Sequence, residues 1–332
     1  YGDHRDLHKE YRRQRQMCIR DRNKRWLLLG LLTVGMFVAM AGYADFSDTV
    51  EEIVDLPVRY FFTGLCLTLT NFLFRYLRWA YYLRVLRIHA SVKLSLLVFL
   101  SGLAMSITPG KSGELVKCYL LNSRTGVPVG RSAPVVVMER LTDVASVIIL
   151  GLTGFALLPV QIAGVLMVVL TLAVAGLLFM NSRHALRLTQ LPVLSRWSEL
   201  LRDSRQGFNE LATPRVAIIG VAIGTLAWSA EGLALWVILK GIGSDIVLIQ
   251  ALPIYAVATL VGAVTALPGG MIGTEGSMLA LLQQSGATKS AASASTVLVR
   301  LVTLWFAVAI GLLALLALRR IRVNTAAVPE EH

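Results

Sequence analysis

The chain has 332 residues, 55% of them hydrophobic and 16% charged, with a mean hydropathy of +0.66. Apolar stretches of membrane-spanning length recur along it, which excludes an ordinary soluble domain and points to a polytopic membrane protein. The net charge of +12 gathers in short loops beside apolar runs, where arginines set topology and meet anionic lipid, so no nucleic-acid partner is expected.

Residues 1–23 are dense in Arg, His and Asp and carry no apolar stripe. They read as a basic disordered tail, the part from Tyr11 to Arg22 resembles adapter-derived translation, and the tail takes no part in the mechanism. The apolar run after it lacks a small-residue cleavage site, so it is a span and not a signal peptide. This first span covers about 25–43. A loop with Asp45, Asp48, Glu51, Glu52 and Asp55 follows, then a second span at about 56–74, then Arg75, Arg78, Arg84, Arg87 and Lys93. The positive-inside rule puts the N-terminus and the basic loop in the cytoplasm and the acidic loop outside. Asn71, Arg75, Arg78 and Trp79 read as anchors at headgroup level, with Arg78 placed to guide a phosphate.

The next apolar piece, 94–107, spans roughly 21 Å as a helix, short of a hydrocarbon core of about 30 Å. It breaks at Pro109-Gly110 and resumes over 113–121, which reads as a hairpin entering and leaving on the cytoplasmic side. Two spans follow, 132–158 and 161–180, then an Arg-rich cytoplasmic loop, 181–215, with a surface helix. The stretch 216–239 crosses outward, 247–266 enters again and breaks at Pro268-Gly269-Gly270, and 277–284 leaves. A last span, 292–318, ends at Arg319, Arg320 and Arg322. Six spans and two re-entrant hairpins place both termini in the cytoplasm. Eight full spans keep the same parity but put the Arg-rich loop outside.

The two breaks correspond. Thr108-Pro109-Gly110-Lys111-Ser112-Gly113-Glu114 interrupts one apolar stretch, and Leu267-Pro268-Gly269-Gly270-Met271-Ile272-Gly273-Thr274-Glu275 interrupts the other. Arg140 follows Pro109 by 31 residues and Arg300 follows Pro268 by 32. Proline removes a backbone donor and glycine admits tight turns, and in hydrocarbon such breaks persist where they face protein or a wet cavity. Backbone N–H groups at the restarted helices, with Lys111, Ser112, Lys117, Arg140, Arg300 and Arg78, suit a phosphate. Glu114, Glu139, Asp143, Glu231 and Glu275 suit their counter-charges or an amine. Arg140 and Asp143, three residues apart, share a helix face, Glu139 points elsewhere, to Lys111, Lys117 or the other repeat, and Arg300 has Glu231, Glu275 or a lipid phosphate as partners. The stretch around Lys111-Ser112 lacks P-loop spacing. The three cysteines and five histidines show no metal-ligand constellation, so neither metal nor cofactor is expected.

Pro109-Gly110-Lys111-Ser112-Gly113-Glu114 with Lys117 and Leu120-Leu121, then Glu139-Arg140-Leu141-Thr142-Asp143, resemble the lysylphosphatidylglycerol synthase transmembrane-region, or flippase-like domain, family. Pro268-Gly269-Gly270, Gly273, Glu275 and Arg300 are similar to its second half, and Arg78-Trp79 to its early Arg-Trp. The resemblance covers about 24–320. In large members such a domain moves an aminoacylated phospholipid between leaflets and a separate soluble domain attaches the amino acid. The resemblance therefore implies a stand-alone member without the synthase domain, acting on a phospholipid or isoprenoid lipid.

The expected architecture is an all-α polytopic membrane protein with inverted-topology repeats: a tail at 1–23, one transmembrane domain at 24–320 with halves at about 56–158 and 216–318, and a cytoplasmic tail at 321–332. The expected function is translocation of a polar lipid with a phosphate-containing headgroup across a bacterial or archaeal cytoplasmic membrane, a transporter and not an enzyme. The alternatives are a membrane-embedded transferase using a lipid-linked donor, and a non-catalytic partner of a lipid-modifying enzyme.

Overall fold

All regular structure among the described residues is helical. A computed structural model describes residues 46–108, 113–154, 198–265 and 267–320, with the single residues Gly35, Gly42, Gly164 and Val168. The tails at 1–23 and 321–332, most of the spans expected at 25–43 and 161–180, and the break residues Pro109, Gly110, Lys111 and Ser112 lie outside this set.

The acidic segment expected as a loop contains a helix, α1 (Phe46–Val54). It buries Thr49 and turns Asp48 and Glu51 outward, an amphipathic pattern that packs one face on a neighbour. After Pro57, which fixes a non-helical entry, α2 (Val58–Val85) runs for 28 residues, about 42 Å. The second span therefore continues well past Phe74. Hydropathy stops where charge begins, but Arg75, Arg78 and Trp79 are all buried inside the bundle. They are interior residues and not headgroup-level anchors.

Helix α3 (Val92–Leu103) tightens into a 3-10 turn at Ala104–Ile107. Thr108 ties the break together: its hydroxyl donates to the Met105 carbonyl at 2.6 Å and accepts from Gly113 N–H at 2.9 Å. The chain restarts as α4 (Val116–Thr125) and stops at Gly126, whose φ of 73° is the left-handed cap that glycine adopts without penalty. A Cβ on Gly102 of α3 would lie 2.6 Å from Lys117 Cγ of α4, so the two short helices lie side by side.

Helix α5 (Val129–Leu152) carries the Glu139–Asp143 sequence. On it lies α6 (Ser198–Leu211), inside the loop expected to hold a surface helix. Arg131 of α5 holds Glu210 of α6 through two hydrogen bonds of 3.0 and 3.1 Å. Helix α7 (Pro214–Gly241) begins with proline in its first turn, where the lost N–H is unneeded. It packs along α2, and Asn71 donates to the Ala227 carbonyl at 2.8 Å.

Helix α8 (Leu248–Val264) ends before the second break. There Pro268–Gly270 form a 3-10 turn, with Gly269 at φ 65° and Gly270 at φ 69°. Ile272, at φ 70°, holds a conformation that costs a β-branched residue of order 1–3 kcal/mol. Helix α9 (Gly273–Gln284) restarts the chain. Then α10 (Lys289–Arg300), a π-helical turn (Leu301–Trp305) and α11 (Phe306–Arg320) make one 32-residue helix.

Among the described residues, α7 and α10–α11 are each long and apolar enough to cross a membrane. Helix α2 qualifies only together with α1, from which it bends by 81°. One core joins α5, α7, α8, α9 and α10, and a second joins α2, α3, α4 and α5. Helix α11 packs against α3 and the turn after it: a Cβ on Gly311 would sit 2.9 Å from the Leu103 carbonyl carbon and 2.8 Å from the Ala104 Cα.

Candidate functional site

Two helices bring polar stripes into the bundle. Asn71, Arg75, Arg78 and Tyr82 recur at helical spacing on α2, and Glu139, Thr142, Asp143 and Ser146 do so on α5. All but Asn71 and Ser146 join one network. Arg78 donates to Asp143 at 2.6 Å and to the Thr142 hydroxyl at 3.2 Å. Trp228 of α7 donates its indole N–H to the same Asp143 oxygen at 3.0 Å. Arg140 reaches the other Asp143 oxygen at 2.9 Å and Glu114 at 3.0 Å.

Lys117 belongs to the same network from α4. Its ammonium lies 2.6 Å from Glu139 and 3.4 Å from Glu114, and 4.8 Å from the Trp79 ring centroid. A desolvated ion costs several kcal/mol, and opposite charges at these distances offset that cost. The cation–π contact adds to the grip.

The second cluster surrounds the other break. Arg300 Nε stands 2.6 Å from Glu275, and its Nη2 donates to the Gly269 carbonyl at 2.7 Å. One guanidinium thus ties α10 to both the broken turn and the first turn of α9. Nearby, Tyr255 of α8 donates its hydroxyl to Glu231 of α7 at 2.5 Å. The two breaks match in one respect: the glutamate just after each meets an arginine further along, Glu114 with Arg140, 26 residues on, and Glu275 with Arg300, 25 residues on.

A cavity of about 300 Å³ lies between the clusters. Arg75, Arg140, Asp143, Glu231, Tyr255 and Arg300 line it, with Gly269 and Gly270 from the second break. Phe72, Val144, Val147, Leu260 and Leu304 supply the apolar wall. Its size is that of a small-ligand pocket, with a few charged groups set in an apolar surround.

Of the residues singled out from sequence, Arg140, Arg300, Asp143 and Glu231 reach this cavity, while Arg78, Lys117, Glu114, Glu139 and Glu275 stand behind its wall. Lys111 and Ser112 fall outside the described residues, as do Pro109 and Gly110, and Gly113 and Gly273 pack closely against Thr108 and Thr265. Sequence reasoning missed Tyr255 and Trp228, and gave Arg75 to the membrane interface. The i, i+4, i+7 spacing of Asn71, Arg75 and Arg78 was the available signal, because a polar stripe on an apolar helix faces the bundle interior.

A family model described as Lysylphosphatidylglycerol synthase TM region matches residues 27–311. A UPF0104 membrane protein of Methanothermobacter thermautotrophicus is 24% identical over 318 residues, covering 87% of this chain and 93% of its own. A second, from Pyrococcus horikoshii, is 21% identical, with 91% of this chain and 99% of the relative covered. A third, from Methanocaldococcus jannaschii, is 20% identical, with 88% and 95% covered.

Proposed function

Because the chain belongs to the lysylphosphatidylglycerol synthase TM region family, we propose that it moves a polar lipid with a phosphate-containing headgroup between the leaflets of the cytoplasmic membrane. The observation that carries this reading is the cavity in which Arg75, Arg140 and Arg300 meet beside carboxylates and an apolar wall. A volume of about 300 Å³ accommodates a headgroup, while acyl tails remain in lipid.

The second break supports the reading, because its Gly269 and Gly270 line the cavity. After each break a glutamate holds the arginine that follows it, Glu114 with Arg140 and Glu275 with Arg300. The two halves, about 56–158 and 216–318, would rock against each other in inverted orientation, with both termini cytoplasmic. Alternating hairpin or helix motion would expose the headgroup site to one leaflet and then the other.

The test is headgroup translocation in proteoliposomes, with labelled anionic, aminoacylated and isoprenoid lipids. The wild type should move at least one of them, and a correctly folded Arg140→Ala/Arg300→Ala variant should not. Equal transport by both proteins, or none by well-folded wild type, would overturn the proposal.

A further inference from the structure

The cluster beside the first break holds four basic side chains, Arg75, Arg78, Lys117 and Arg140, against three carboxylates, Glu114, Glu139 and Asp143. Among the described residues this cluster holds one more cation than carboxylates, and Glu231 lies across the cavity from it. The four cations are held very differently.

Arg78 is wholly buried and fixed by Asp143 and Thr142. Lys117 is fixed by two carboxylates and the Trp79 ring. Both stand behind the cavity wall, so both are structural. Arg75 and Arg140 instead line the cavity and share Glu114, and Arg140 is also held by Asp143 at 2.9 Å. The Arg75 contact is 3.7 Å long, an ion pair beyond hydrogen-bond reach. Among the described residues, the Nε donors of Arg75, Arg78 and Arg140 all lack a hydrogen-bond partner, but of these three arginines only Arg75 and Arg140 border the cavity, and Arg75 is only 6% exposed. A buried guanidinium with donors to spare and a loose counter-ion is costly unless something anionic completes it.

Resting on the transporter reading above, we propose that Arg75 and Arg140 form a two-guanidinium clamp for the phosphate of the lipid headgroup, with Glu114 as the positioning residue that aims both. Planar guanidinium forks fit phosphate oxygens through paired charge-assisted hydrogen bonds. Arg75, at the centre of a long helix and outside both breaks, becomes the specificity residue for phosphate over a neutral headgroup.

The experiment is calorimetric titration of the purified full-length chain in neutral detergent with three probes: short-chain phosphatidylglycerol, a diacylglycerol of the same chain length, and inorganic phosphate. Wild type should bind phosphatidylglycerol more tightly than diacylglycerol. Arg75→Gln should weaken phosphatidylglycerol by at least about tenfold, the loss expected for one charged hydrogen-bond pair, and leave diacylglycerol unchanged. Arg75→Lys, which keeps the charge and loses the fork, should fall between them, and it carries the test if Arg75→Gln melts early. Undiminished phosphatidylglycerol binding by folded Arg75→Gln would overturn the clamp, whatever the vesicle assay gives. Binding of inorganic phosphate without the lipid would overturn the lipid as its source. If wild type binds phosphatidylglycerol through Arg75 yet moves no lipid in vesicles, the clamp stands and the transporter reading falls.

Discussion

Arg300 and Glu275 lie 2.6 Å apart in the interior of the protein, 25 residues apart in sequence, on opposite sides of the turn between α9 and α10. The same guanidinium holds the Gly269 carbonyl at 2.7 Å. This contact fixes the second break to the long terminal helix just before its π-helical turn, where the ladder of that helix is loosened.

Removing one partner of such a pair leaves an uncompensated buried ion, at a cost of about 3–5 kcal/mol. Arg300→Met and Glu275→Met should each destabilise the protein by about that much. The double variant should recover most of the loss, because neither ion remains to be buried. Denaturation in mixed micelles measures all three, and a double variant no better than the singles would show that the turn needs the Gly269 contact more than the ion pair.

Asp143 takes Arg78, Arg140 and Trp228 together. Asp143→Asn keeps the shape and removes the charge, so it should cost more than Glu210→Gln, whose partner Arg131 lies at the partly exposed α5–α6 contact. Exposed pairs contribute at most about 1 kcal/mol. Melting temperatures of the two variants side by side decide the order. The indole of Trp228 should also shift its emission in Asp143→Asn alone.

Gly311 and Gly276 offer a matched pair of glycine-to-alanine tests. A methyl group on Gly311 meets the backbone of Leu103 and Ala104, which has no room to give, whereas one on Gly276 meets nothing within 4 Å. Gly311→Ala should destabilise by about 1–3 kcal/mol through overpacking, and Gly276→Ala should stabilise by up to about 1 kcal/mol through helix propensity. Thermal unfolding of each variant reads the sign directly.

In the acidic segment ahead of α2, Glu52 of α1 has its proton affinity raised above the ordinary value of 4.5, first by partial burial and then by Asp55, Glu51 and Asp48. The folded state therefore binds this proton more tightly than the unfolded chain. Its contribution to holding α1 in place is complete below about pH 4.5 and is lost as pH rises through the raised value. Amide exchange in α1 should be slower at pH 4 than at pH 7 after correction for intrinsic rates, and Glu52→Gln should flatten the difference.

Composition and run length alone determined an all-helical membrane chain, because only helices and closed barrels satisfy the backbone in lipid and nothing here alternates as a barrel does. The two proline–glycine breaks and the arginine downstream of each were legible too, since a break and a charge in hydrocarbon are both conspicuous. So was the sharing of a helix face by Arg140 and Asp143, which is local geometry.

Tertiary structure decided what the charges do. Arg78 meets Asp143 across 65 residues of sequence, and Asn71 meets Ala227 across 156. Hydropathy ends a span at the first arginine and cannot know that a carboxylate from another helix waits to neutralise it. Hence α2 runs on to Val85, and Arg75 becomes a cavity residue where sequence placed an interfacial anchor. Tyr255 and Trp228 were invisible for the same reason. An aromatic side chain in an apolar run looks like packing until folding sets its one polar atom against a buried acid.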